Sequence, residues 1–209
     1  MNYDHIQVNT QSNIRIDGSN IVYFDPFKIE AETHDADLIA ITHSHYDHFD
    51  PESINRIRKE STIFAAPSGM EKELGHIANA ESLRLMAPGE EMRLPDLTIT
   101  AVPAYNKMKP FHSKHNRWLG YVLEMDGFRY YIAGDTDAVK EIQNIRCDVA
   151  LIPIGGTYTM NVKDAAGLIN EIKPKAAIPT HYGSIVGKIG DADDFRKRVD
   201  PDIRVIIKL

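Results

Sequence analysis

The sequence predicts an α+β fold in which two β-sheets are sandwiched together, rather than one doubly wound sheet. Strand-like segments crowd the start of each half of the chain, and this pattern favours two sandwiched sheets. The 209 residues are enough for one large domain or two small ones. Because no linker or low-complexity segment interrupts them, we expect a single domain over residues 1–209.

The first half of the chain opens with a predicted β-meander over residues 4–25, in which apolar and polar residues alternate. A continuous apolar run at 37–42 predicts a short, fully buried strand. Asp50 followed by Pro51 predicts the start of a helix over 51–60, because an N-cap side chain and a proline both favour that position. The remaining predicted elements of this half are a strand at 62–66 and a helix within 68–78.

The second half of the chain alternates strands with short helices. Asp126-Gly127 is a strong hairpin signal between two of the strands. Asn161 caps a predicted helix that runs to Ile172, and Asp191 is the expected cap of a last helix. Another short helix is predicted at 137–143. The strands of this half are predicted at 94–102, 119–125, 128–133, 149–154, 175–180 and 202–208, with a long loop at 103–117.

Directly after the buried strand, six residues carry the pattern H-x-H-x-D-H, formed by His43, His45, Asp47 and His48. His43 and His45 are two residues apart, so an extended backbone points both to the same side, where they can share one metal ion. A turn after Tyr46 would direct Asp47 and His48 toward a second ion. Imidazole with carboxylate suits zinc, and also manganese or iron. The motif therefore predicts a metal site between a strand end and a helix start.

Ligand-type residues recur at two further strand ends, as Asp135 and His181. With these residues the chain resembles the metallo-β-lactamase fold superfamily. It resembles more closely the small stand-alone bacterial metal-dependent hydrolases related to the L-ascorbate-phosphate lactonases. The matching motifs are THSHYDH at 42–48, PAYN at 103–106, GDTD at 134–137, PIGGTYTM at 153–160 and PTHYG at 179–183. They span nearly the whole chain and are more specific for the fold than for a substrate.

The resemblance implies an αββα fold, a four-layer sandwich of two mixed β-sheets flanked by helices, with two divalent metal ions at one edge. The ligands it implies are His43, His45 and a later histidine for the first ion, Asp47, His48 and His181 for the second, and Asp135 as the bridge. The later histidine is His112 or His115, which lie in the same loop. The distance of His112 ahead of Asp135 resembles the family pattern better, so we expect His112.

This ligand set predicts a metal-dependent hydrolase. Two ions roughly 3.5–4 Å apart can share a bridging water and lower its pKa toward ~7, which provides hydroxide at neutral pH. Asp47 is the expected catalytic residue, since it could orient the hydroxide and then protonate a leaving group. We expect cleavage of an ester, lactone or phosphodiester, with zinc as the expected metal. The alternative is a mononuclear iron dioxygenase of the persulfide dioxygenase type, because those enzymes resemble the same scaffold.

The segment from Leu97 through Leu123 contains no aspartate or glutamate, although the protein is acidic overall. Its cations are Lys107, Lys109, Lys114 and Arg117. A positive lip beside the metals would favour a small anionic substrate, and we expect Lys107 and Lys109 to bind it. Tyr158 and Tyr182 are expected to donate a hydrogen bond to a developing oxyanion.

Composition excludes several other classes. The net charge of −6 argues against general binding of nucleic acids or anionic membranes. Cys147 is the only cysteine, so neither an internal disulfide nor a cysteine zinc cluster is expected, and a structural thiol is the favoured interpretation. The first residues lack a signal-peptide pattern and no apolar run approaches membrane-spanning length, so we expect a cytoplasmic protein. The expected surface histidines are His5, His34 and His76.

Overall fold

A computed structural model describes residues 3–209 of the chain. Its strands form two sheets, one of six strands and one of seven. The first sheet consists, in spatial order, of β1 (Ile6–Val8), β2 (Ile14–Asp17), β3 (Ile21–Phe24), β4 (Ala36–Ala40), β5 (Arg58–Pro67) and β6 (Leu83–Met86). The second consists, in reverse spatial order, of β7 (Glu91–Leu94), β8 (Leu97–Pro103), β9 (Leu119–Met125), β10 (Phe128–Ile132), β11 (Val149–Pro153), β12 (Ala176–Thr180) and β13 (Arg204–Val205). The α-helices are α1 (Pro51–Ile57), α2 (Glu71–Leu74), α3 (Val162–Ile172) and α4 (Asp191–Arg198).

Three apolar clusters define four layers. The first cluster takes side chains from both sheets, for example Leu38 from one and Tyr121 from the other, so it lies between them. The second joins the outer face of the seven-stranded sheet to α3 and α4, through residues such as Phe195. The third joins the six-stranded sheet to α1 and α2, through residues such as Ile54. The predicted sandwich of two mixed sheets flanked by helices is confirmed.

The six-stranded sheet follows the sequence pattern with one local difference. The meander β1–β2–β3 is antiparallel, and the strands from β3 to β6 pair in parallel. Asp50 caps α1 by accepting a hydrogen bond from the backbone N–H of Glu52, and Pro51 is the first helical residue. The helix ends at Ile57 instead of residue 60, because Arg58 already pairs with Ala36 of β4 and starts strand β5. Strand pairing therefore outweighs helix propensity at 58–60.

The seven-stranded sheet contains the predicted hairpin. Asp126 and Gly127 both have positive φ, 53° and 77°, as a type I′ turn requires. The predicted helix at 137–143 is only a 3₁₀ turn at Lys140–Ile142, and the predicted last strand is only two residues long. Asp191 does not cap α4; it is the first residue of that helix and Gly190 is the cap. Strands β6 and β7 escaped prediction because they are short and only partly buried.

The topology brings several strand ends to one edge of the molecule. β8 and β10 are each antiparallel to β9, and β10, β11 and β12 are parallel, so β8, β10 and β12 share one direction. The end of β4 reaches the same edge, because the backbone N–H of Leu119 donates to the carbonyl of Thr42 at 3.1 Å. None of the helices among residues 3–209 has the length and apolar composition needed to cross a membrane.

Candidate metal centre

The loops at this edge carry every residue that the sequence predicted as a metal ligand. The segment 43–48 follows β4, His112 lies between β8 and β9, Asp135 follows β10, and His181 follows β12. His181 has a positive φ of 55°, an unusual conformation for a non-glycine residue. Its backbone N–H donates to the carbonyl of Gln11 at 2.9 Å, which holds the turn in place.

Ligand-type atoms of these residues form three overlapping groups, within each of which the atoms lie within 4.8 Å of one another. The groups are His43 with His45 and His112, His43 with His48 and Asp135, and Asp47 with His48 and His181. His112 thus lies beside the first two histidines of the motif. His115, the alternative that the sequence left open, is exposed in a 3₁₀ turn and belongs to none of the groups found among residues 3–209.

Several of these atoms are buried and unpaired. Nε2 of His48, Nε2 of His112 and Oδ1 of Asp135 make no hydrogen bond within residues 3–209. They face one another closely: His48 Nε2 lies 3.4 Å from Asp135 Oδ1, and His112 Nε2 lies 3.2 Å from Asp135 Oδ2. Buried polar atoms without partners are costly, and metal cations bound among these residues would satisfy all three. The residues therefore fit a metal ion, with nitrogen and carboxylate donors of the kind that zinc prefers.

The opposite side of each imidazole is held by a partner. His48 Nδ1 donates to Asp25 Oδ2 at 2.7 Å, and His112 Nδ1 donates to Asn106 Oδ1 at 3.1 Å. His43 Nδ1 donates to the hydroxyl of Thr42 at 2.9 Å, since that hydroxyl in turn donates to Asp25. Such partners keep a proton on Nδ1, so Nε2 is the nitrogen that faces the other ligand-type residues and would bind a metal in place of any proton it carries. Nε2 of His43 also lies 3.1 Å from Nδ1 of His45. The three histidines are thus oriented before any ion binds.

The carboxylates make the centre electrostatically negative. Burial alone would lower the pKa of His48, but Asp135 and Asp25 raise it to about 9. Burial alone would likewise raise the pKa of Asp135, but His181 and His48 hold it well below its usual range. Burial lowers the pKa of His43 well below its usual range. The site favours a positive charge at its centre and keeps Asp135 ionised, and both properties suit a cation.

Asp47 lies at the boundary between this buried cluster and the solvent-facing side. Its Oδ2 is 3.3 Å from His181 Nε2 and accepts a long hydrogen bond of 3.4 Å from Gln11 Nε2. Burial alone would raise the pKa of Asp47, but His181 and His48 lower it to about 2. The carboxylate is therefore ionised at neutral pH and held from the side opposite to the solvent.

A cavity of about 290 Å³ opens onto the cluster. His45, Asp47 and Asp135 form its polar part. The rest of its wall consists of Tyr46, Phe111, Tyr158 and Ile185. A larger groove of about 740 Å³ lies elsewhere, beside Arg58 and Asn79, and contains none of the predicted ligands. The ligand cluster and a small pocket therefore coincide at the edge that the strand ends define.

The four residues that the sequence assigned to substrate binding differ in position. Only Tyr158 lines the cavity. Tyr182 is buried in the apolar cluster beneath α3 and α4, so its hydroxyl does not reach the pocket. Lys109 forms an ion pair of 2.8 Å with Asp137 and also donates to the carbonyl of Thr159. Lys107 is exposed and lies outside the cavity wall.

The other cations of this loop are similarly committed or remote from the pocket. Lys114 pairs with Glu141 at 2.7 Å and stacks on the ring of Tyr105. Neither Lys114 nor Arg117 lines the cavity beside the ligands. Of the predicted surface histidines, His34 and His76 are exposed, whereas His5 is half-buried and bonds to the hydroxyl of Tyr130 at 3.0 Å. The surface prediction for His5 is therefore wrong, because its ring packs against the sheet.

Sequence reasoning missed the residues that hold the ligands. Asp25 follows β3, so the same strand-end rule could have found it. Asn106 is part of the PAYN motif, which carried the resemblance without a role for this side chain. Gln11 lies in a turn between β1 and β2 with a positive φ of 50°, and no pattern in the sequence marks it. Trp118, whose ring centroid is 4.7 Å from that of His43, was also missed.

Comparison with known proteins agrees with this geometry. The family model described as the beta-lactamase superfamily domain matches residues 6–182. A UPF0173 metal-dependent hydrolase of Archaeoglobus fulgidus is 32% identical over 213 residues, which cover 92% of this chain and 90% of that protein.

Two solved structures share the fold over nearly their whole length. A protein of Parabacteroides distasonis assigned as a metal-dependent hydrolase has a TM-score of 0.82 and 32% identity, over 98% of this chain and 92% of that one. Igni18, a metallo hydrolase from Ignicoccus hospitalis, has a TM-score of 0.77 and 23% identity, over 97% and 93% of the two chains. The second likeness concerns the fold alone.

Proposed function

Because the chain belongs to the beta-lactamase superfamily domain family, and within it to the UPF0173 metal-dependent hydrolases, we propose that it hydrolyses an ester, lactone or phosphodiester of a small molecule with two divalent metal ions. One observation supports the metal centre above all others. Nε2 of His48, Nε2 of His112 and Oδ1 of Asp135 are buried, close together and without hydrogen bonds within residues 3–209. A protein without a cation there would leave three polar atoms desolvated and unpaired.

The proposed ligands of the first ion are His43, His45 and His112, those of the second are Asp47, His48 and His181, and Asp135 lies between them. Zinc fits these donors, and manganese or iron would also be accepted. The metal centre would supply a hydroxide nucleophile at neutral pH and polarise the bond that is cleaved. Every other contribution must come from the side chains around it.

Asp47 is the proposed catalytic residue. Its low pKa, about 2, keeps it ionised, so it accepts a hydrogen bond from the attacking water and orients that water toward the substrate. Once it carries a proton it is a strong acid, which favours transfer of that proton to the leaving group. Gln11 supports Asp47 from the buried side, since its amide Nε2 donates to the Oδ2 of the same carboxylate.

Tyr158 is the proposed donor to the developing oxyanion, because it is the one predicted tyrosine that lines the cavity. Its backbone is fixed, since its carbonyl accepts a hydrogen bond of 2.9 Å from Nδ2 of Asn106. The same Asn106 orients His112, so one side chain couples the metal side of the pocket to its opposite wall. An anionic substrate has less support, since Lys109 is already paired with Asp137 and Lys107 is the remaining candidate.

A substrate panel with a matched variant tests the proposal. Protein loaded with zinc or manganese should hydrolyse members of a panel of carboxylic esters, lactones and phosphodiesters. Asp47→Asn keeps the shape of the side chain and should abolish turnover without changing the melting temperature by more than a few degrees. Oxygen consumption by the iron-loaded protein with glutathione persulfide, with no hydrolysis by any metal form, would contradict the hydrolase and support the dioxygenase alternative.

A further inference from the structure

We propose that the cavity at the metal centre holds an apolar group of the substrate, a short acyl chain or a single ring next to the bond that is cleaved. This inference rests on the proposed hydrolase function and specifies its substrate class. In this proposal an apolar wall selects substrates, instead of the positively charged loop expected from the sequence.

The distribution of exposed apolar side chains carries the argument. Among residues 3–209, the large apolar side chains that remain exposed are Tyr46 (66%), Met108 (94%), Phe111 (44%), Ile185 (36%) and Ile189 (77%). All five lie in the loops that follow β4, β8 and β12, the same loops that carry the ligand-type histidines. Isolated exposed apolar residues need no explanation, but their confinement to one edge indicates a binding surface.

Three of these side chains line the cavity itself. Tyr46, Phe111 and Ile185 form its wall together with Tyr158, while the ligand-type residues form its polar part. The aromatic rings of the wall pack edge-on: the centroids of Phe111 and Tyr158 are 4.7 Å apart, and the centroid of Tyr46 lies 6.0 Å from that of the buried Phe27. A polar reacting centre beside an apolar wall is complementary to a substrate with a hydrolysable polar group and an adjoining apolar group.

The charge and the volume of the cavity restrict the class of substrate further. No lysine or arginine is among the residues that line this cavity, and Lys109 and Lys114 pair with carboxylates elsewhere. A second anionic group on the substrate would therefore enter an apolar space without a counterion, which is unfavourable. The volume of about 290 Å³ is at the lower end for ligand pockets, so it fits a short chain or one ring.

Binding of reaction-product analogues provides a test that does not require turnover. Trp118 is the only tryptophan, and its ring lies 4.7, 4.9 and 5.4 Å from the rings of His43, His45 and His112, so its fluorescence reports on this site. The zinc-loaded protein is titrated with acetate, propanoate, butanoate and pentanoate. Each buried methylene should tighten binding about fourfold, hence about 60-fold from acetate to pentanoate. Succinate should bind more weakly than butanoate.

Matched variants locate the effect. Phe111→Ser and Ile185→Asn should each lower the gain in affinity per methylene from about fourfold to about twofold or less. The affinity of both variants for acetate should equal that of the wild type. Ile189→Asn serves as the control, because this side chain is exposed in the same loop but does not line the cavity. It should leave the whole series unchanged.

Three results would overturn the proposal. They are affinities that change less than threefold from acetate to pentanoate, succinate binding more tightly than butanoate, and dimers in sedimentation analysis that Ile185→Asn dissociates while the series stays flat. The last result would assign the apolar edge to self-association.

Failure of the hydrolase function has a different signature: the carboxylate series keeps its slope, but none of the esters, lactones or phosphodiesters is cleaved. Conversely, esters cleaved at rates independent of chain length, together with a flat binding series, would support the hydrolase function and contradict the selection of apolar groups.

Discussion

Replacing Asp25 with asparagine should weaken metal binding without altering any proposed ligand. The Asp25 carboxylate accepts hydrogen bonds from His48 Nδ1 at 2.7 Å and from the backbone and hydroxyl of Thr42 at 2.7 and 2.6 Å. The backbone N–H of Thr42 donates to Oδ1, whereas the Thr42 hydroxyl and His48 Nδ1 share Oδ2. If the single amide oxygen of asparagine keeps the backbone hydrogen bond, its NH₂ group faces His48 and the Thr42 hydroxyl. A donor opposite a donor favours the tautomer of His48 with its proton on Nε2, the atom that should bind the ion.

The size of the effect follows from the bond that is lost. A hydrogen bond to a charged group contributes about 1.5–3 kcal/mol, which corresponds to a change of roughly 10- to 150-fold in an equilibrium constant. Asp25→Asn should therefore lower the affinity for at least one zinc ion by about 10- to 100-fold, the usual range for partners of metal-binding histidines.

The assay is titration of the metal-free protein with zinc in competition with a chromophoric chelator. Asp37→Asn is the matched control. Asp37 pairs with Lys59 and lies at the start of β4, whereas the proposed ligands follow the end of that strand. Its zinc affinity should equal that of the wild type. Zinc affinity within threefold of wild type for Asp25→Asn would show that the tautomer of His48 is set by something other than this carboxylate.

Three further predictions concern the ligands and the single thiol. His112→Ala should remove most activity and weaken one ion, whereas His115→Ala should leave both within twofold; the opposite result in metal titration and kinetics would reassign the ligand. Chelation should lower the melting temperature, and metal at 100 times its dissociation constant should restore about 2.7 kcal/mol; equal melting curves would argue against a bound ion. Burial raises the pKa of Cys147 to about 12, so alkylation at pH 8 should be about 100-fold or more slower in the native than in the unfolded protein; rapid native labelling would contradict this.

The predictable part of the fold came from strong local signals. The H-x-H-x-D-H motif, the strand before it and the capped helix after it all specify the same local structure, and the resemblance that they support is confirmed by the family match. Asp126-Gly127 formed the expected hairpin because its backbone conformation is rarely accessible to other dipeptides. Short edge strands such as β6 lack such signals, since tertiary pairing rather than their own sequence creates them.

Residues that act through contacts distant in the chain were not predictable. Gln11 reaches Asp47 and His181 only because a turn with positive φ brings it beside β12, and Asp25 reaches His48 across two neighbouring strands. The charge environment of the acid-free loop likewise depends on contacts distant in the chain. Its sequence contains no carboxylate, yet Lys109 and Lys114 find Asp137 and Glu141 in the next loop, so local charge did not reveal the charge of the pocket.

The central claim is that the residues clustered at this edge hold two metal ions at once. Elemental analysis of the wild-type protein, equilibrated with saturating zinc and freed of unbound metal by gel filtration, tests it most directly. The arrangement of buried, unpaired donors predicts two ions per chain, falling to one or fewer in the His112→Ala variant. A metal content of at most one ion per wild-type chain, at saturation with either zinc or manganese, would contradict the account.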